Sequence, residues 1–183
     1  MKDVRRGMVV GLVLLIVAAT TPLVVRWATA PRGPSLWIDL PTGAARKVDL
    51  AGLRHLPQIS RRGDVQNQFG NWRDGGTYTG VLLTDLLNDV PYRAVDVVAE
   101  DGYRVTIDRS RVEDEEYPMV LAYAFDGVAV PAWKDGFRVV VLPDDGRVSN
   151  EEYGAASAGS FWVKNVARIV VTPAATTGPA GAR

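Results

Sequence analysis

The spacing of hydrophobic positions changes repeatedly along this chain, and each change marks an element. Met8 to Val25 (MVVGLVLLIVAATTPLVV) is apolar and uncharged throughout. Leu36-Trp37-Ile38 is a short strand signal. VDLAGLRHLP (Val48 to Pro57) sets Leu50, Leu53 and Leu56 on one side of a helical turn or two. Pro57 ends it, because proline disfavours helix in the residue before it. Gln58 to Phe69 is polar but extended in character, anchored by Ile59 and Val65. Helical spacing returns at Leu82 to Val90, with Leu82, Leu83, Leu86 and Leu87 as the buried side and Pro91 closing it. Strand signals follow at Ala94–Ala99, Tyr103–Ile107, Met119–Phe125 and Phe137–Leu142, and Phe161–Val171 closes the series. Glu100-Asp101-Gly102, Asp126-Gly127, Lys134-Asp135-Gly136 and Asp144-Asp145-Gly146 supply turn chemistry, since glycine takes the positive φ that tight hairpins need. Arg147 to Ser160 reads as a long loop. The pattern predicts an α+β domain over residues 35–173, a mixed strand-rich sheet with a few short helices. Residues 174–183 carry too little apolar surface to fold and read as a disordered tail.

Residues 1–7 form a short basic segment carrying Lys2, Arg5 and Arg6. The apolar run after them has 18 residues, and at about 1.5 Å per residue it reaches roughly 27 Å, close to the hydrocarbon thickness of a bilayer. Residues 8–26 therefore predict one N-terminal transmembrane anchor, with 27–34 as linker. The basic flank sets the N-terminus inside and the domain outside the cytoplasm. The alternative is a cleaved signal peptide with Ala28-Thr29-Ala30 as its small-x-small site, releasing a secreted domain after cleavage near Ala30. Arg5-Arg6 also resembles a twin-arginine export signal, against the simpler reading of a basic flank.

Composition narrows the chemistry. Lys+Arg 21 balances Asp+Glu 21, so the chain has no electrostatic footprint for nucleic acid. It has no cysteine and one histidine, which removes thiolate nucleophiles, disulfides and Cys-ligated clusters. His55 sits in GLRHLP and reads as a surface or partly packed side chain. The acidic run Glu113 to Glu116 points its side chains several ways and reads as a solvated loop. No catalytic residue and no metal ligand is assigned from the sequence.

The densest chemistry lies in QNQFGNWRDGG (Gln66 to Gly76), which runs on through a Tyr-Thr-Gly turn into LLTDLL. Its composition suits a loop that holds a ligand or one that wedges the domain together, and both readings are open at this point. Asn71 and Trp72 suit hydrogen bonding and stacking of a planar heterocycle, or alternatively a turn former and a core wedge. Gly75-Gly76 reads as a tight turn, without the GxGxxG context of a nucleotide site.

The order of motifs resembles the sulfite-oxidase-like, molybdopterin-binding oxidoreductase domain family. LAGLRHLPQ, TYTGVLLTDLL, AEDGY, FDGVAVP, DGFRVVVLP and FWVKNVARIVV are each similar to a family signature, in the family's order. QFGNWR sits where the family has Cys-Ala-Gly-Asn followed by basic residues. The resemblance implies a sulfite-oxidase-type fold and a cofactor cleft shared by the central loop, the start of the Phe137 strand and Trp162–Lys164. Gln68, Asn71, Trp72, Arg73, Arg138 and Lys164 are the ligand- or cofactor-binding candidates it brings forward. Arg73, Arg138 and Lys164 would suit an anionic small molecule or the phosphate of a pterin; as ordinary surface charges they would pair with Asp74, Asp135 and Glu151. One departure matters: Gln68 stands at the family's metal-ligating cysteine. A neutral, hard amide cannot replace a soft thiolate. The resemblance makes molybdopterin the cofactor to test and leaves molybdenum without its protein ligand. The expected role is a non-catalytic ligand-binding or accessory module beside a membrane redox or uptake partner. The alternative is an active oxidoreductase that holds the cofactor without a protein thiolate.

Overall fold

The computed structural model describes residues 33–88 and 90–174. The expected anchor over 8–26, linker residues 27–32 and tail residues 175–183 lie outside the described residues. Among the described residues no helix is long and apolar enough to cross a membrane.

Two five-stranded sheets contribute to one hydrophobic core, where the sequence suggested a single mixed sheet. In the first sheet the order is β2-β1-β10-β5-β6. Strand β1 (Ser35–Asp39) alternates, turning Leu36 and Ile38 into the core and Trp37 outward. Strand β2 (Ala45–Asp49) pairs with it antiparallel. Its sequence, ARKVD, buries only Val48, so it carries no strand signal of its own. Asp49 then caps α1 (Leu50–Leu53) by accepting the Gly52 N–H at 2.8 Å. Leu53 is buried while Leu50 and Leu56 pack at the core's margin, the side the leucine spacing marks. Strands β5 (Tyr92–Ala99) and β6 (Arg104–Asp108) form a hairpin across Glu100-Asp101-Gly102, followed by α3 (Arg109–Val112). Strand β10 (Val166–Pro173) lies between β5 and β1, antiparallel to the first and parallel to the second.

The second sheet runs β3 (Ile59–Gln66), β4 (Trp72–Leu82), β7 (Met119–Phe125) and β8 (Val128–Ala129), with β9 (Arg138–Val141) also on β7. Strands β7 and β9 are buried along nearly their whole length, which is why they read as unbroken apolar runs and not as alternation. Each large side chain buried there contributes roughly 1.5–3 kcal/mol.

Several sequence expectations are corrected. The Gln66–Gly76 stretch is not a free loop: β4 begins at Trp72 and pairs back on β3 from Gln66↔Trp72 to Ile59↔Gly80. Gly75-Gly76 lies within that strand and is no tight turn. A Cβ on Gly76 would fall 2.3 Å from the Phe125 ring, so glycine is there for close approach. Leu82 ends β4, and the helix after it, α2, spans only Leu83–Leu86. The expected strand from Phe161 starts at Val166; Ala158–Phe161 is a 3-10 turn.

Backbone bonds tie the site's supports together. Val139 N–H donates to the Val163 carbonyl at 3.0 Å and Val166 N–H to that of Phe137 at 2.8 Å. Asn165 N–H donates to the Asp135 carbonyl at 2.7 Å, and Glu100 N–H to that of Asn165 at 2.9 Å. The lead-in to β10 is thereby fixed against the start of β9 and the end of β5.

Candidate functional site

The site begins with an irregularity in the β3–β4 hairpin. Gly63 pairs with Gly76 and Val65 with Arg73, so Asp64 alone faces Asp74 and Gly75. That is a β-bulge, which bends a strand and re-aims a side chain. Asp74 takes the strain with φ at 63°, a left-handed conformation that aspartate tolerates better than most residues. The bulge is held by Tyr78, whose hydroxyl donates to the Asp74 backbone carbonyl at 2.6 Å.

Opposite Asp74 lies Arg138, the one charged side chain buried in the core among the described residues, only 2% exposed. Its Nη2 donates to Asp74 Oδ2 at 2.6 Å and its Nη1 to Asp135 Oδ2 at 3.2 Å. Lys164 Nζ reaches the same two carboxylates, at 3.6 Å from Asp74 and 3.1 Å from Asp135. Aromatic faces complete the setting: the guanidinium carbon is 5.3 Å from the Trp162 ring centre and 5.7 Å from that of Tyr78. Burying an arginine costs several kcal/mol unless it is paired; two carboxylates and two rings supply the compensation. Two cations against two anions leave this quartet neutral.

The electrostatics follow from that geometry. Burial pushes the Asp74 carboxyl up, but the hydrogen bond and charge of Arg138, with Lys164 behind it, hold it below its ordinary value. Burial raises the Tyr78 phenol well above the usual range; Arg138 opposes this and Asp74 and Asp135 add to it. Tyr78 therefore stays protonated as a donor. Arg138 Nε and Trp162 Nε1 are buried without a hydrogen-bond partner.

Two adjoining cavities open here. The larger, about 550 Å³, is lined by Arg138, Lys164, Trp162, Glu100 and Asp101, among others. The smaller, about 360 Å³, is lined by Gln68, Phe69, Arg73 and Ser157, among others. Asp74, Tyr103 and Gly159 line both. Four of the six sequence candidates thus border this double cleft, Arg138 and Lys164 in one half and Gln68 and Arg73 in the other. The other two lie elsewhere. Trp72 begins β4 with its ring 4.0 Å below the Arg147 guanidinium; it is exposed and so is no core wedge, and it lies outside the double cleft. Asn71 is exposed and lines none of these cavities. The side chain that shapes the turn is Asn67, whose Oδ1 accepts the N–H groups of Phe69 and Asn71 at 2.9 and 3.1 Å. Pairing with Asp74 and Asp135 is the arrangement Arg138 and Lys164 adopt.

Tyr103 was outside the candidate set; its hydroxyl donates to the Ser160 carbonyl at 3.1 Å and braces the cleft between β6 and the 3-10 turn. The DGY motif was its only signal. His55 is exposed and lines none of these cavities. In the acidic run, Glu113 pairs with Arg109 at 2.7 Å and Asp114 accepts the backbone N–H groups of Glu116 and Tyr117.

No family model matches the chain. No curated protein matches it either. Among solved structures it is similar to the sulfane dehydrogenase SoxCD from Paracoccus pantotrophus, with a TM-score of 0.55 and 15% identity over 79% of this chain and 39% of that one. At that identity the likeness shows the fold alone, a strand-rich α+β fold distantly like that of the sulfane dehydrogenase. The chain spans less than half of that structure's chain.

The residues present do not fit a thiolate-held molybdenum cofactor. The chain has no cysteine. Gln68, at the resembling position, is an exposed residue of the hairpin turn. Among the described residues no group of three His, Cys or acidic side chains is placed to hold a metal. The two cations of the larger cavity already hold carboxylates.

Proposed function

We propose that this chain is a membrane-tethered, extracytoplasmic domain of molybdopterin-oxidoreductase type that works as a non-catalytic ligand-binding or accessory module. The observation that carries this reading is chemical: Gln68 stands where the resembling family places its metal-binding thiolate, and no cysteine elsewhere can substitute. The double cleft gives such a module a place for a small ligand, with Gln68, Arg73 and Tyr103 as its polar contacts. The apolar segment 8–26 supplies the tether, and a membrane redox or uptake protein is the partner it would serve. The test is to purify the full-length protein in detergent from a host that makes and exports molybdopterin enzymes, then assay molybdenum and pterin fluorescence. The expected result is near-zero metal in a preparation whose co-expressed positive control is loaded. Stoichiometric metal would establish the competing reading, an oxidoreductase that binds its cofactor without a protein thiolate.

A further inference from the structure

We propose that Asp74 and Asp135 are a built-in anionic plug on the Arg138–Lys164 pair, so that the larger cavity rejects free oxyanions until a carboxylate is withdrawn. Two basic side chains bordering a cavity would ordinarily recruit phosphate or a similar anion. Here each carboxylate touches both cations: Asp74 reaches Arg138 at 2.6 Å and Lys164 at 3.6 Å, Asp135 reaches them at 3.2 and 3.1 Å. The four side chains close a ring in which every charge is balanced, so the seat an anion would occupy is already filled from within.

The plug is a product of the backbone. Asp74 reaches the arginine because the bulge opposite Asp64 turns it there at positive φ, a conformation that regular pairing would not impose. Asp135 comes from the turn before β9, and its own carbonyl is pinned by Asn165 N–H. Two unrelated segments thus converge on one guanidinium. The fit is incomplete, since Arg138 Nε is buried with no partner; the carboxylates take one terminal nitrogen each. Glu100 and Asp101, which also line this cavity, add negative charge and oppose an incoming anion further. The hydrogen bond and charge of Arg138, with Lys164, favour the charged form of Asp74 over its ordinary balance.

The idea does not depend on the chain binding a pterin, and its test is a gain of function. Inorganic phosphate is titrated calorimetrically into full-length protein in detergent, comparing the native chain with Asp74→Asn. Asparagine keeps the shape and accepts positive φ, while the quartet gains one net positive charge. The native chain should show no saturable binding up to about 10 mM, and Asp74→Asn should bind at least about tenfold more tightly. Adding Lys164→Gln, a half-exposed position, should remove the gain. Equal phosphate affinity in the native chain and the variant overturns the proposal. So does a folded Asp74→Asn, by circular dichroism and melting, that binds no better. Should that variant fail to fold, Asp135→Asn carries the same expectation and the same refutation.

Discussion

Arg138 Nη2 donates to Asp74 Oδ2 at 2.6 Å, joining the start of β9 to the bulge of β4 across 64 residues of chain. The arginine is almost wholly buried, with only its edge on the larger cavity, while its two carboxylates keep about a third of their side-chain surface exposed. Removing either side of such a pair has unequal consequences. Arg138→Met would leave two carboxylates facing each other with only Lys164 between them. Breaking a fully buried pair costs about 3–5 kcal/mol, and the solvent reach of these carboxylates lowers the expected loss to about 2–3 kcal/mol. Arg138→Lys should recover little of it, because an ammonium cannot span both carboxylates as the planar fork does. Urea midpoints of the three proteins decide this; a lysine variant as stable as the native chain would show that only the charge matters.

Acid should weaken the domain through Asp74. Its folded pKa lies below the ordinary 3.8, so the folded state favours the carboxylate. The resulting stability is fully present above the unfolded value and is lost as pH falls through the folded one. Denaturant midpoints should decline below about pH 4. In Asp74→Asn that part of the decline should disappear, leaving a shallower acid slope. Parallel slopes would assign the acid sensitivity to other carboxylates.

Tyr78→Phe tests the brace under the bulge. The substitution removes the donor to the Asp74 carbonyl and leaves that carbonyl's partner position empty at a part-buried site. A loss of about 1–2 kcal/mol is expected. Spectrophotometric titration of the native chain should also leave four tyrosines fewer ionising near pH 10 than its unfolded form, because burial holds up the phenols of Tyr78, Tyr92, Tyr117 and Tyr153, and Tyr78→Phe should reduce that difference by one.

Close approach of β4 and β7 can be tested at Gly80. A Cβ there would lie 2.3 Å from the Leu121 carbonyl oxygen, which is backbone and cannot step aside. Gly80→Ala should therefore destabilise by about 2–3 kcal/mol. Gly102→Ala is the contrast, since nothing lies within 4 Å and only its φ of 88° opposes alanine, at about 1 kcal/mol. Equal losses at the two positions would mean that the sheet relaxes around the added methyl.

How far these features could be read from the chain depends on whether neighbours in sequence determine them. Met119–Phe125 was legible because a strand covered on both faces is apolar at every position. Asp126-Gly127 was legible because its turn chemistry is local. Strand β2 was hidden, having one buried residue in five. The outer hairpin from Gln66 to Gly76 was hidden for the same reason, since it is mostly exposed and shows no alternation. Arg138 and Lys164 were found as cations with known candidate partners. That one pair of carboxylates serves both of them rests on a bulge at Asp74, and a bulge is set by cross-strand register. That Trp72 stands outside the double cleft could not be read either, because composition cannot show which face of a strand a ring will take.

The parallel pairing of β1 with β10 carries a mechanical consequence. Trp37 lies beside Arg168 and Asp39 beside Val170, so the first and last strands run side by side in the same direction. The domain's entry at Ser35 and its exit at Pro173 therefore leave from opposite ends of that pair. Tension applied between them would load the bridging hydrogen bonds together in shear and would not unzip them singly. The two strands that bracket the described domain act as a clasp on everything folded between them.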